Sequence, residues 1–190
     1  KGEGIKHPMG YEMKLREPLD FYAVTDHGIF LGMVNAMADT TTKVSQQPIS
    51  KPFHNLNRPE NMNDASFGQR ANLFSSIIGG NIVEQYPYWH PRVIKAWLTK
   101  NSALALKVFD YDVHKSAWAD IARAAEEHND PGKFTSFIGY EFTSSTNVEG
   151  GNLHRNVIFN SSEAPIRPWS RIDSINPEDL WTWMDKLRDK

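Results

Sequence analysis

Three short runs of apolar, β-branched and aromatic residues mark the chain, and each borders on ionisable groups. The first, a strand over residues 19–24, is apolar on successive positions from Phe21 to Val24, the pattern of a parallel strand buried on both faces, and it stops at Thr25-Asp26-His27. The second, residues 134–142 (FTSFIGYEF), carries Glu141 just before its end and runs into Thr143-Ser144-Ser145-Thr146. The third, residues 153–159, opens on His154-Arg155-Asn156 and continues apolar. Each run predicts a strand with its polar residues at one end.

Helical spacing lies between and after these runs. Phe30, Leu31, Met33, Val34 and Met37 predict a short helix that ends in the Asp39-Thr40-Thr41-Thr42 cluster. Further helices are predicted over 68–78, stopped by Gly79-Gly80, and over 91–108, with Pro91 in the first turn. A clearer one is capped by Ser116, repeats Trp118, Ile121, Ala122 and Ala125 on one face, and closes at His128 before Asp130-Pro131-Gly132. The last has Asn176 as cap, Pro177 in the first turn, Glu178 and Asp179 favourable to the dipole, and Leu180, Trp183, Met184 and Leu187 on a buried face. The opening 18 residues read as a polar, Gly- and Pro-containing loop, residues 46–64 as an irregular excursion, and residues 147–152 as a Gly-rich loop. Tyr86-Pro87-Tyr88-Trp89-His90-Pro91 is an aromatic cluster under a loop or against a pocket.

Composition narrows the function classes. With 190 residues, 39% hydrophobic and 12% aromatic, the chain can bury a core and reads as one domain with an insertion. A net charge of -2 gives no broad basic surface for nucleic acid. No apolar run approaches the ~20 residues that span a bilayer, so the expectation is a soluble protein, cytoplasmic or periplasmic, with no membrane partner. Zero cysteines leave His, Asp and Glu as the strong metal ligands.

The three strands therefore bring Asp26-His27, Glu141 and His154 to strand ends. Imidazole and carboxylate together suit Zn²⁺, Mn²⁺ or Fe²⁺, and a carboxylate can bridge two such cations. The groups are too far apart in sequence for a local motif, and they meet only if the strands lie side by side. Taken singly, Asp26-His27 also fits a turn with a local hydrogen bond, and His154 fits a strand-edge histidine bonded to backbone. Glu141 is harder to explain that way, because a carboxylate within an apolar run is costly to bury without a cation or several donors. His7, His54, His90, His114 and His128, in loops or helix ends, read as solvated or structural.

VTDHG after one strand, GYE after a second and the following NLH resemble metal motifs of the polymerase-and-histidinol-phosphatase (PHP) superfamily of metallohydrolases. More narrowly, DFYAVTDHGIFLGM, KSAWADI, KFTSFIGYEFTS, GGNLHRNVIF and NPEDLWTWMD resemble, in this order, the bacterial domain of unknown function 3604 family, from about Gly10 to Arg188. The resemblance implies an α/β fold, part of a distorted (β/α) TIM-like barrel with a helical or irregular insertion over about 39–115. It implies that His27, Glu141 and His154 are metal ligands, with Glu141 bridging or terminal, and that the complete site holds two or three divalent ions. It also implies catalytic parts for Asp26, as a ligand or a ligand's partner, and for Arg155, which with Asn156 would face the substrate.

The chain departs from the superfamily pattern. A first-motif His-x-His occurs nowhere in it, and the later motifs that supply another His and an Asp-x-His do not follow His154, so the resemblance implies an interior piece of a larger protein. Gly28-Ile29 also stand where many relatives carry a small residue and then an acidic one. A closed (β/α) barrel usually needs ~200 or more residues, and three strands leave two edges that want the remainder of the protein or a partner subunit. Two functional expectations follow. One is that the larger protein is a metal-dependent hydrolase using metal-activated water on a small anionic substrate, a phosphoester or related ester, with this chain alone inactive. The other is a non-catalytic structural or binding module with an incomplete metal site.

Overall fold

A computed structural model of the chain describes residues 2–7, 10–63, 65–70, 73, 109–143, 154–174 and 176–188. The predicted helix over 91–108, most of that over 68–78, the aromatic cluster at 86–91 and the Gly-rich loop at 147–152 lie outside these residues.

Six strands occur among the described residues: β1 Ile5–Lys6, β2 Glu12–Met13, β3 Phe21–Ala23, β4 Thr135–Phe137, β5 Gly139–Phe142 and β6 Arg155–Ile158. They pair as three two-stranded sheets, β1 with β2 antiparallel, β3 with β4 parallel and β5 with β6 antiparallel. The expected α/β part-barrel is thus not what forms. A (β/α) barrel runs all its strands parallel, whereas here β6 returns against β5 antiparallel and the described strands close no barrel.

Three local differences follow from the same ladders. The opening residues, read as a loop, make the β1–β2 hairpin, turned through Gly10 at φ 94° and flanked by stacked His7 and Tyr11 rings. The single strand expected over 134–142 divides into β4 and β5 at Ile138, whose carbonyl accepts from Phe159 N at 2.9 Å. β3, expected to be buried on both faces, leaves Phe21 67% and Tyr22 49% exposed, because among the described strands it pairs only with β4.

Among the described residues the α-helices are α1 Met33–Ala38, α2 Tyr111–His128 and α3 Pro177–Arg188, and residues 65–70 are also helical. α1 enters from Gly32 at φ 76°, where a Cβ would stand 2.7 Å from that of Ala117 in α2, so the glycine permits both the turn and the close approach. α2 begins earlier than predicted. Asp110 is its cap, accepting from the N–H groups of Asp112 and Val113, and Ser116 lies inside the helix. Tyr111–Lys115, assigned to the insertion from sequence, belong to this helix. α3 begins where expected, with Asn176 Oδ1 accepting from Glu178 N at 3.2 Å. Between α1 and residue 63 the Pro-rich excursion folds into 3-10 turns at Val44–Gln46, Pro48–Phe53 and Pro59–Asn61. Val44 and Phe53 pack there against Ala36, Met37 and Ala38 in a small core of their own.

The main core decides which face of β5–β6 is free for chemistry. Tyr140 and Phe142 of β5 and Val157 of β6 pack with Trp118, Leu31, Ile138 and Leu180. The Trp118 ring meets Tyr140 edge-on at 5.7 Å, and its Nε1 donates to Pro165 O at 2.7 Å. The predicted apolar faces of α2 and α3 lie on this cluster through Ile121, Ala122, Ala125, Trp183 and Met184. Because side chains alternate across a strand, burying 140 and 142 turns Glu141 to the opposite face.

Candidate metal centre at the end of a parallel ladder

Leu19 to Gly28 and Phe134 to Phe142 run side by side in one parallel register. Phe21, Tyr22 and Ala23 pair with Thr135, Ser136 and Phe137, and the same offset reappears where His27 bridges Glu141. Two main-chain hydrogen bonds hold that bridge, Glu141 N to Asp26 O at 2.8 Å and Gly28 N to Glu141 O at 2.9 Å. On its other edge Glu141 lies opposite Asn156 of β6. Residues opposite one another share a face, so His27, Glu141 and Asn156 emerge together on the side away from the core.

The side chains converge accordingly. His27 Nδ1 lies 2.5 Å from Glu141 Oε2, and His154 Nδ1 contacts Oε1 of the same carboxylate. The two imidazole rings meet edge to face with centroids 5.7 Å apart. One ligand atom from each of the three residues lies within 4.8 Å of the others. Glu141 is the recessed member, its side chain 14% exposed against 52% for His27 and 35% for His154.

Of the six residues singled out from sequence, the structure brings these three into contact. Asp26 is exposed and is not among the converging side chains; its main-chain carbonyl carries part of the bridge. Arg155 pairs with Phe142 one position before Asn156, which turns it to the opposite face of β6 from Asn156. Thr143 and Asn156 join the site face instead. Thr143 Oγ1 lies 2.7 Å from His27 Nδ1. Its sequence signal was placement two residues after Glu141, on the same side of an extended chain.

The remaining histidines divide by environment. His54 Nε2 lies 2.9 Å from Ser45 O and His128 Nδ1 2.9 Å from Ala124 O, both ordinary structural bonds. His90 lies outside the described residues. His114 is fully buried, with Nε2 at 2.7 Å from the carbonyl of Gly28. Burial holds its pKa below the usual histidine value, with Arg167 acting the same way and the Gly28 carbonyl and Asp173 opposing.

The fold and site thus define an α- and β-containing protein with a His–Glu–His cluster at the end of a short parallel ladder. The family described as "Protein of unknown function (DUF3604)" matches residues 1–190, and the chain belongs to that family. No curated protein and no solved structure matches it. Among the described residues no helix is long and apolar enough to cross a membrane.

Proposed function

We propose that the His27–Glu141–His154 cluster holds a divalent cation and that the protein is a metal-dependent hydrolase of phosphoester or related anionic ester substrates, akin to the PHP metallohydrolases. The observation that carries this reading is the convergence of two imidazoles on one recessed carboxylate from three separate segments of chain. Two neutral nitrogen donors and one anionic oxygen suit Zn²⁺, Mn²⁺ or Fe²⁺. When bound, such an ion supplies an acidified water and charge stabilisation for an anionic ester. Glu141 contributes the negative charge at the base of the site. Thr143 and Asn156 lie on the same face, Thr143 within 2.7 Å of the His27 ring. The three converging groups form the donor set of one ion, and a second or third ion requires donors beyond them.

The test is metal content by mass spectrometry, calorimetric titration with Zn²⁺ and Mn²⁺, and hydrolysis of bis(p-nitrophenyl) phosphate by the loaded protein. Stoichiometric metal, lost together with turnover in His27→Ala and Glu141→Ala, is expected. Turnover that survives both substitutions would sink the proposal.

One observation favours a second reading, a non-catalytic module. Both Glu141 oxygens already meet an imidazole nitrogen, as in a closed structural cluster of charges. On that reading the purified protein takes up no metal, and Glu141→Gln lowers stability alone.

A further inference from the structure

We infer that His114 is a positioning residue for His27, acting through Gly28 from the core side of the sheet; its bearing on metal binding rests on the reading of His27 as a ligand. Gly28 follows His27 directly, and every feature of its main chain is engaged. Its N–H donates to Glu141 O at 2.9 Å, and its carbonyl lies 2.7 Å from His114 Nε2. A Cβ on Gly28 would meet Tyr140 Cδ2 at 2.8 Å, so the Tyr140 ring already fills the space beside it. The ladder alone ties His27 to β5, which lies on one side of it. The His114 bond adds an anchor from α2, a separate element, so the peptide after His27 is fixed from two directions.

Chemistry settles the direction of that bond. A carbonyl oxygen only accepts, so Nε2 carries the proton. Burial and the facing Arg167 disfavour a second proton on the ring, Asp173 facing it from the same loop does not outweigh them, and Tyr140 on β5 is held neutral by burial. His114 is therefore the neutral Nε2–H tautomer, with Nδ1 buried and without a partner. The Phe109 ring, 5.0 Å away, packs beside the imidazole. A group that donates from the Nε2 position and adds no charge is what the Gly28 carbonyl requires, and glutamine meets that requirement where asparagine, whose amide ends near the Nδ1 position, and leucine do not.

The experiment compares His114→Gln, His114→Asn and His114→Leu with the parent protein. It reads amide exchange at Gly28 and Glu141, the Cε1–H NMR signal of the His27 ring, and cobalt(II) titration followed by visible absorption. In the Asn and Leu variants the two amides should exchange about tenfold faster while those of β6 hold, the His27 signal should move, and cobalt affinity should fall about tenfold, the scale of lost outer partners at metal sites. The Gln variant should restore all three. If Leu fails to fold, the Asn and Gln pair carries the comparison. Unchanged Gly28 exchange and an unmoved His27 signal in the Asn variant would overturn the inference, as would equal acceleration of the β6 amides, which marks general destabilisation. If the parent protein itself takes up no cobalt, the metal reading fails alone, and the amide and ring signals still decide the role of His114.

Discussion

His27 and Glu141 stand opposite each other across one parallel bridge, and the same pair is joined side chain to side chain, Nδ1 to Oε2 at 2.5 Å. Backbone register and site chemistry are therefore one relationship. A slip of one residue between the two segments would turn one of the pair to the core face and dismantle the cluster.

This coupling makes Glu141→Gln informative. The substitution preserves shape but replaces one acceptor oxygen with an NH₂ donor and removes the anionic group on which both histidines converge. Metal affinity should fall about 100-fold, which is ~2.7 kcal/mol, as read by calorimetric titration with Zn²⁺. The circular dichroism spectrum should stay unchanged, since the core face of β5 is untouched.

Gly28→Ala tests the crowding beside the site. The new methyl would lie 2.8 Å from Tyr140 Cδ2 and 3.3 Å from Glu141 O, and the Tyr140 ring is wholly buried, so neither neighbour can swing clear. The expected cost is about 1–3 kcal/mol in chemical denaturation, the range for overpacking a filled core. Loss of metal affinity should accompany it, because the residue displaced is the one after His27.

The cap of α2 offers a contrast between two neighbouring polar residues. Asp110→Ala removes the acceptor of two first-turn N–H groups and should cost about 1 kcal/mol in urea denaturation. Ser116→Ala, in the helix interior, should be neutral or slightly stabilising, since alanine is the better helix former. The reverse ranking would restore the shorter helix read from the sequence.

That contrast shows where the sequence was legible. The apolar face of α3 and its Asn176-Pro177 start depend on local spacing, and they stand as the spacing predicts. The three side chains of the cluster were visible as ionisable groups at the ends of apolar runs, a signal that survives whatever the strands then do. Strand direction is not carried by such runs. Nothing in Arg155–Ile158 says that β6 runs against β5, and that one antiparallel pairing is incompatible with the expected barrel. The burial expected for Phe21 and Tyr22 failed for a related reason, since an unbroken apolar run does not state how many neighbours its strand will have. His114 was read from sequence as solvated or structural, and the choice between the two was not legible, because its partner is a main-chain carbonyl 86 positions away, which leaves no pattern in the chain.

The buried His114 also predicts a pH dependence with a definite sign. Its pKa is lowered in the folded protein, first by burial, so the unfolded chain binds the proton more readily than the folded one. Stability from this group is complete above the unfolded histidine value of about 6.5 and declines as pH falls below it, until the folded group is itself protonated. The Gln variant carries no such proton. The stability difference between the parent protein and His114→Gln, measured by urea denaturation across pH 5 to 8, should therefore be flat at the upper end and shift against the parent protein toward the lower. Subtracting the variant removes the contributions of His27, His154 and the carboxylates, which both proteins share. A difference that stayed constant across the range would show that folding leaves the proton affinity of His114 unchanged, and one that moved in favour of the parent protein in acid would show that the folded state favours an imidazolium at the Gly28 carbonyl; either outcome contradicts the buried neutral ring.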